Sequence, residues 1–194
     1  MKILIAVPTY ENIQPEVFKA IYNLNKSEHE LHFDFVRGYD CAHARNDIGK
    51  QAQAGGYDYV LMVDSDTLIP PDTLDLMLDT HVDVCLGVCP RKNTKEGKTA
   101  IVKMESPSYH LNYYYSDLPE EKTRVKGGGF ACALVKSTVF TMIDYPYFSY
   151  VINEDWSTLS EDYYFCQQCS MYGIEIWVDP RVKCGHLARY YQYE

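Results

Sequence analysis

The first 89 residues alternate between apolar segments typical of strands and amphipathic segments typical of helices. The predicted strands span residues 2–7, 31–36, 57–63 and 82–88, and the predicted helices span 13–24, 42–54 and 70–79. The third and fourth strand segments are almost wholly apolar, as expected for a parallel sheet covered on both faces. This order predicts an α/β fold, with a doubly wound, mostly parallel central sheet and helices on both faces.

The second half of the chain is less regular and predicts a small excursion from this sheet. Its predicted segments are a basic loop at 90–98, short strands at 99–125, a strand at 130–135, a helix at 161–172, a strand at 174–178 and a final segment at 181–186. Ser137 is the expected cap of a further helix, and Ser160 and Gly173 are the expected start and stop of the helix at 161–172. Since no repeat or interdomain linker interrupts the sequence, we expect one domain over residues 1–194.

The charge and hydropathy of the chain argue against two classes of partner. Lys and Arg number 18 against 27 Asp and Glu, which gives a formal charge of −9. An acidic chain without a basic stripe is not expected to have nucleic acid as its main partner. No apolar run approaches the ~18 uncharged residues that a transmembrane segment needs. The apolar start of the chain ends at Pro8, too early for a secretory signal, so we expect a cytoplasmic protein.

The chain has seven cysteines, an odd number that favours a reducing compartment with thiols packed as small core residues. A structural zinc site formed by Cys166, Cys169, Cys184 and His186 is the alternative. Cys166 and Cys169 fall inside a predicted helix, however, and the spacing matches no standard zinc finger. We therefore expect reduced core thiols.

Tyrosine is unusually frequent, with 18 residues and clusters at 113–115 and at 190, 191 and 193. Its ring has apolar faces and a polar tip, which suits a wet, concave binding surface. Packing beneath loops is the other interpretation, and the sequence leaves both open.

The feature that most indicates chemistry is Asp64-Ser65-Asp66, directly after the apolar segment 59–63. In an extended chain, residues i and i+2 point the same way, so the two carboxylates converge at the carboxyl end of the strand. Paired carboxylates suit a hard divalent cation such as Mg²⁺ or Mn²⁺. The alternative is an Asp-rich turn in which Asp66 or Thr67 caps the next helix. The buried strand before the motif favours the metal site.

Two further candidates have weak signals when each is taken alone. Glu161 and Asp162 open the predicted helix at 161–172, where acidic side chains either complement the helix dipole or act as a general base. Their spacing favours neither interpretation. His186 lies late in the chain, and a lone histidine is usually a surface or core residue.

Taken together, these features resemble the GT-A glycosyltransferases, especially small members similar to family 2 and related viral and bacterial enzymes. The resemblance rests on Asp64-Ser65-Asp66 after the third strand, Gly128-Gly129-Phe130 before a strand, Glu161-Asp162 at a helix start, the late His186, Val7-Pro8-Thr9-Tyr10 after the first strand and Ala44-Arg45-Asn46 on the second helix. It spans almost the whole chain. It implies a GT-A domain with a nucleotide-binding half at 1–89 and an acceptor-binding, metal-completing half at 90–194.

The resemblance assigns a set of residues to the nucleotide-sugar donor, expected to be a UDP-sugar rather than a GDP-sugar. They are Pro8, Thr9, Tyr10, Arg45, Asp64, Ser65, Gly128 and Gly129. Of these, residues 8–10 would line the pocket for the base and ribose, and Arg45 would lie near the nucleotide with Asn46 supporting the loop packing. The glycines would let the backbone approach the sugar. The acidic pair common in family 2 is missing from 32–41, where Asp34 and Asp40 are the candidates to replace it.

The resemblance also implies a metal and a base. Asp66 would bind the metal directly, His186 would be the second protein ligand, and Asp64 would approach the ribose and reach the metal through water. The imidazole shifts the preference from Mg²⁺ towards Mn²⁺. Asp162, with Glu161 beside it, would face a glycan or small hydroxyl acceptor. Arg91, Lys92 and Lys95 are candidates to contact the diphosphate, although the basic sequence at 90–98 favours a solvated loop.

Two other functions stay open from the sequence. A haloacid-dehalogenase-like phosphohydrolase would use Val63-Asp64-Ser65-Asp66-Thr67, with Asp64 attacking phosphate and Asp66 as acid/base. That motif normally opens its fold, whereas three or four elements precede it here. A non-catalytic sugar-binding module would use the tyrosines and would depend on neither metal nor nucleotide.

Overall fold

A computed structural model describes residues 1–10, 12–26, 28–92 and 97–187 of the chain. The helices are α1 Pro15–Tyr22, α2 Cys41–Ala54, α3 Thr73–Asp79, α4 Val139–Met142 and α5 Glu161–Met171, with a 3-10 helix at Tyr115–Asp117. The strands are β1 Lys2–Thr9, β2 Glu30–Arg37, β3 Tyr59–Val63, β4 Thr67–Leu68, β5 Val84–Val88, β6 Lys98–Lys103, β7 Asn112–Tyr114, β8 Thr123–Gly128, β9 Cys132–Lys136, β10 Val151–Ile152, β11 Thr158–Leu159, β12 Ile176–Lys183 and β13 Gly185–His186. In the described part of the chain, no helix is long and apolar enough to cross a membrane.

Nine of the described strands form one mixed sheet in the order β2-β1-β3-β9-β5-β12-β8-β6-β7. β1 pairs in parallel with β2 and β3, and β5 pairs in parallel with β12. The α/β class is confirmed, but β9 runs antiparallel between β3 and β5, and β8, β6 and β7 add an antiparallel edge. The central position of β9 buries all of its residues except Lys136.

Hydrophobic cores cover both faces of the sheet. Even-numbered residues of β1 pack with α2, α4 and α5, whereas odd-numbered residues pack with α1 and α3. Since successive side chains of a strand point to opposite faces, these helices lie on opposite sides of the sheet. In the first core the rings of Phe148 and Phe165 stack at 4.7 Å. The predicted arrangement of helices on both faces is therefore confirmed.

Some element ends differ from those predicted. α2 begins at Cys41 because the carboxylate of Asp40 accepts a hydrogen bond of 2.7 Å from the backbone N–H of His43. The predicted Ser137 cap is wrong: Thr138 is the N-cap of α4, and Ser137 instead donates its backbone N–H to the carbonyl of Asp58. Pairing with β5 extends β12 past the predicted end at 178.

Candidate active site

Asp64, Ser65 and Asp66 form a fixed turn at the carboxyl end of β3. The N–H of Asp64 donates to the carbonyl of Ala131, and the N–H of Thr67 donates to the carbonyl of Asp64, each at 3.0 Å. A strand, β4, begins at Thr67, whereas α3 begins only at residue 73, after an N-cap at residue 72. The turn therefore leads into β4 and not into a helix capped by Asp66 or Thr67.

His186 lies against Asp66, although the two are far apart in the sequence. β13 pairs antiparallel with β4, with His186 opposite Thr67, and the N–H of Leu187 donates to the carbonyl of Asp66 at 2.9 Å. As a result, Nε2 of His186 lies 3.2 Å from Oδ1 of Asp66. A pairing between short strands thus joins the two residues that the resemblance assigns to the metal.

Hydrogen bonds orient both side chains. Nδ1 of His186 lies 2.7 Å from the carbonyl oxygen of Pro90, which can only accept, so Nδ1 carries a proton. Nε2 donates to Asp66 when the ring is protonated, and in the neutral ring Nε2 keeps a lone pair that a cation could bind. The hydrogen bond with Asp66 raises the pKa of His186, against the opposing effect of burial. Burial alone would raise the pKa of Asp66, but hydrogen bonds from His186 and Lys92 lower it to about 2. Asp66 is therefore ionised at neutral pH.

The geometry of Asp66 and His186 fits a divalent cation. Two ligand atoms ~2.1 Å from an octahedral ion and at right angles to each other are ~3 Å apart, close to the observed 3.2 Å. Among the residues that the structure describes, no group of three or more His, Cys, Asp and Glu side chains could hold an ion. A cation at this pair would need its remaining oxygen ligands from water or from a bound phosphate.

Arg45 is buried beneath the turn after β3, next to Asp64, and its place near a nucleotide stays a prediction. Its side chain is 2% exposed, and it donates to Oδ1 of Asp64 at 2.8 Å and to Oε1 of Glu161 at 2.5 Å. The rings of Phe130 and Phe148 lie 5.8 and 6.0 Å from the guanidinium carbon. Burial raises the pKa of Asp64, and Arg45 opposes that rise. One buried cation therefore connects the turn after β3 with the start of α5.

The two acidic residues at the start of α5 have different environments. Glu161 is buried and paired with Arg45. Oδ1 of Asp162 accepts hydrogen bonds from the Ser160 hydroxyl and from the backbone N–H of Tyr163. Its Oδ2 lies 3.5 Å from the position that a Cβ on Gly129 would take. This carboxylate oxygen faces the cavity that Gly129 lines.

Two adjoining cavities meet at Asp64 and Lys92, which line both. The first has a volume of about 240 Å³ and is lined by Pro8, Thr9, Tyr10, Asp40, Ser65 and Asp66, among others. The second has a volume of about 390 Å³ and is lined by Arg45, Gly129, Glu161, Asp162 and His186, among others. The buried hydroxyl of Thr9 has no hydrogen-bond partner within the described residues. The structure thus brings most of the predicted site residues to one cleft.

The two glycines have separate roles. A Cβ on Gly129 would lie 2.9 Å from the Cβ of Ala100, at the wall of the second cavity. A Cβ on Gly128 would lie 2.7 Å from Ile101 and 2.9 Å from Leu86, both core side chains. Gly128 ends β8 and is not among the residues that line either cavity. Gly128 therefore has a packing role within the sheet, and its contact with the sugar stays a prediction.

Asn46 and the residues that sequence reasoning left undecided also have definite places. Asn46 exchanges two hydrogen bonds with the backbone of Phe148, at 2.7 and 3.1 Å. Asp40 lines the first cavity, whereas Asp34 accepts a hydrogen bond of 2.6 Å from Gln51. Lys92, which sequence alone suggests to be a solvated loop residue, forms an ion pair with Asp66. Its position shortly after β5, at the same edge of the sheet as Asp66, is the sequence signal that indicates a place at the site.

The cysteines suggested for a zinc site and the clustered tyrosines do not lie with Asp66 and His186. Cys166 and Cys169 lie in the core beside α2, while Cys184 lies in the core on the other face of the sheet, so these residues cannot share the suggested zinc site. Tyr113 and Tyr115 pack against the first core, and Tyr114 is 42% exposed. The predicted cluster at 190, 191 and 193, and Lys95, lie outside the described residues.

The strand order, the central antiparallel β9 and a cleft beyond the carboxyl ends of β1, β3 and β5 define the GT-A fold. The fold is shared with solved structures. The structure of A197 from STIV matches with a TM-score of 0.66 and 16% identity, over 97% of this chain and 87% of that one. S. aureus TarS 1-349 in complex with UDP-GlcNAc matches with a TM-score of 0.56 and 16% identity, over 98% of this chain and 60% of that one.

A third match extends the range of proteins with this fold. GalNAc-T7 with UDP, GalNAc and Mn²⁺ has a TM-score of 0.62 and 9% identity, over 97% of this chain and 44% of that one. This chain therefore spans less than two thirds of the TarS fragment and of GalNAc-T7. No protein-family model and no curated protein sequence matches it. At these identities the likeness shows the fold, and the function has to be argued from the site.

Proposed function

We propose that the protein is a glycosyltransferase that moves a sugar from a UDP-sugar to a hydroxyl acceptor. The observation that carries the proposal is the pairing of Asp66 with His186 at the junction of two cavities. Two proteins with the same fold are described with UDP-GlcNAc and with UDP, GalNAc and Mn²⁺. Their ligands support, for this chain, a nucleotide-sugar donor and a cation.

The cavity of about 240 Å³ is the proposed site of the nucleotide. Tyr10 is 73% exposed and offers a ring on which a base can stack. The unpartnered hydroxyl of Thr9 and the carboxylate of Asp40 offer polar contacts to the base and ribose. The second cavity is proposed for the donor sugar and the acceptor. Asp64 keeps Oδ2 for the ribose, since Arg45 holds Oδ1.

Asp66 and His186 are the proposed ligands of Mn²⁺ or Mg²⁺, and the imidazole nitrogen favours Mn²⁺. When bound, such an ion supplies Lewis-acid stabilisation of the diphosphate leaving group. The chain itself supplies an excess of carboxylates and a formal charge of −9, which would repel a diphosphate in the absence of a cation.

Asp162 is the proposed general base. Ser160 and Tyr163 hold Oδ1, whereas Oδ2 lies at the cavity that Gly129 lines. It would accept the proton of the acceptor hydroxyl as the hydroxyl oxygen attacks the anomeric carbon. With a base on the acceptor side, we expect a single displacement that inverts this carbon.

The phosphohydrolase alternative receives no comparable support. Its nucleophile would be Asp64, whose Oδ1 is held by a buried arginine, and the motif lies in the third major strand of a GT-A sheet. A sugar-binding module shares the cavities but needs no cation.

All seven cysteines are free thiols, which supports a reducing, cytoplasmic location as part of the proposal.

Isothermal titration with UDP, with and without Mn²⁺, tests the donor site. We expect binding that needs Mn²⁺ and that Asp66→Asn and His186→Ala weaken at least tenfold. Asp83→Asn is the matched control, since Asp83 is an exposed carboxylate in a surface ion pair with Lys136. UDP binding unaffected by a chelator and by Asp66→Asn would refute the metal role.

The reaction is tested with a panel of donor sugars, scored for Mn²⁺-dependent release of UDP. Release of inorganic phosphate from phosphate esters, without use of any donor sugar, would identify a phosphohydrolase. Sugar binding without turnover of any donor would identify a binding module.

A further inference from the structure

The proposed function assigns no role to Lys92, a cation at the site. Its ammonium forms an ion pair with Oδ2 of Asp66, while Nε2 of His186 lies at Oδ1 of the same carboxylate. The side chain of Lys92 is 49% exposed and that of Asp66 is 28% exposed. Lysine and histidine therefore contact one carboxylate from two sides, at the open end of the cleft.

The backbone directly before Lys92 is held by contacts of Pro90 and Arg91. Pro90 forms a β-bridge with Thr99, and the N–H of Arg91 donates to the carbonyl of Lys98 at 3.0 Å. The carbonyl of Pro90 accepts the hydrogen bond of Nδ1 of His186. A lysine side chain has a flexible four-carbon stem and a compact charge, so its ammonium can exchange partners within a few ångströms.

The charges of the site give the ammonium two competing partners. A divalent cation at Asp66 and His186 would place two positive charges beside it, and like charges repel strongly in a partly buried site. Lys92 also lines both cavities, and a diphosphate between nucleotide and sugar would lie where they meet. Arg45 offers no substitute at this point, because its guanidinium is buried between Asp64 and Glu161.

We propose that Lys92 is an exchangeable counter-ion of the donor site. It pairs with Asp66 in the metal-free protein, and it moves to the diphosphate of the donor when a divalent cation occupies Asp66 and His186. This inference rests on the proposed function, since it requires both the cation and the diphosphate. It follows that Lys92 opposes binding of the cation alone and favours binding of the diphosphate, so that the two ligands bind cooperatively.

The test compares Lys92→Met with the wild-type chain in two titrations. With Mn²⁺ alone, after removal of bound metal by a chelator, Lys92→Met should bind several-fold more tightly, because no ion pair has to break. With UDP at saturating Mn²⁺, Lys92→Met should bind about tenfold more weakly, because a charge-assisted hydrogen bond is lost. UMP, which has no β-phosphate, should bind both proteins equally. Lys92→Arg should restore most of the affinity for UDP.

Lys136→Met is the matched control, since Lys136 is a half-exposed lysine paired with a surface carboxylate, Asp83. It should leave both titrations unchanged. Equal Mn²⁺ affinity of Lys92→Met and wild type would overturn the role of Lys92 while leaving the proposed function in place. Equal weakening of UMP and UDP would also overturn it, because Lys92 would then not act on the diphosphate. If neither protein binds Mn²⁺, the proposed function fails and the role of Lys92 fails with it.

Discussion

Replacing Arg45 by methionine removes the cation that separates two carboxylates, those of Asp64 and Glu161. Removing one partner of a buried ion pair typically lowers the free energy of unfolding by about 3–5 kcal/mol, because a buried charge is left unpaired. Arg45 makes contacts at 2.8 and 2.5 Å, but the side chain of Asp64 is 28% exposed and remains partly hydrated. We therefore expect a loss of about 4 kcal/mol. The folded state should survive at 25 °C, since a domain has about 5–15 kcal/mol of stability.

Urea unfolding followed by circular dichroism measures this loss. A change of about 4 kcal/mol in a chain of this size should also lower the melting temperature by about 8–16 °C. Arg124→Met is the matched control: Arg124 pairs with Glu175 at 3.1 Å, but the two side chains are 51% and 48% exposed. A surface pair contributes at most about 1 kcal/mol, so this control should unfold close to the wild type.

The pH dependence of the Arg45→Met variant supplies a second test. Burial already raises the pKa of Asp64 in the presence of Arg45, and without the cation that pKa should rise further. A carboxyl group with a raised folded-state pKa adds stability below its unfolded pKa of about 3.9 and loses that stability as the pH rises through the folded-state pKa. The deficit of Arg45→Met should therefore be smaller at pH 5 than at pH 8.

Adding Glu161→Gln to Arg45→Met should recover part of the loss, because the second variant removes one of the unpaired charges. Three results would refute this account of Arg45: a deficit below 1 kcal/mol at pH 8, a deficit that does not change with pH, or a double variant that is less stable by the full sum of the two single losses.

Three other perturbations test separate parts of the site. Gly129→Ala places a Cβ 2.9 Å from that of Ala100. In calorimetry it should weaken the binding of a UDP-sugar more than the binding of UDP. Equal weakening of both would contradict a sugar site in the second cavity. Asp162→Asn should keep UDP affinity and lower the rate of transfer by about 10²–10⁴-fold, so normal transfer would show that Asp162 is not the base. Burial raises the pKa of Cys85 and Cys166 to about 12. Iodoacetamide at pH 8 should therefore label them only in urea, as counted by mass spectrometry, and labelling of the folded protein would contradict their burial.

Local patterns were enough to predict the first strands and helices. β3 follows from its apolar run, and α2 follows from a helix-like segment that ends before two glycines. The place of β9 was not predictable in this way. Its residues indicate a buried strand, but its insertion between β3 and β5 depends on pairings with distant segments. The same holds for β13, whose two residues become a strand only because β4 lies beside them.

A site residue could be predicted where its place after a strand indicates its role. It could not be predicted where its role depends on the side chains that bury it. Asp66 stands out because it follows a buried strand. The resemblance assigns Arg45 to the neighbourhood of the nucleotide, but no local pattern indicates that two carboxylates and two phenylalanine rings bury this charged side chain. Spacing alone does not decide whether Glu161 and Asp162 serve the helix dipole or proton transfer, and the buried contact of Glu161 with Arg45 is not visible in the sequence. The basic loop at 90–98 predicts a solvated Lys92, because no local pattern indicates the carboxylate that folding brings to it.

Two cross-connections make the proposed chemistry depend on the complete sheet. His186 reaches Asp66 through β13 and β4, and Glu161 reaches Asp64 through Arg45. In each case one partner precedes residue 90 and the other follows it. Neither half of the chain by itself therefore contains both Asp66 and His186, or both Arg45 and Glu161. β13 directly follows β12, which pairs in parallel with β5. Loss of that pairing would therefore remove His186 from Asp66 even if every side chain of the cleft were intact. Variants that weaken the pairing of β12 with β5 should lower stability and Mn²⁺ affinity together, whereas Asp66→Asn acts on the affinity at the site itself.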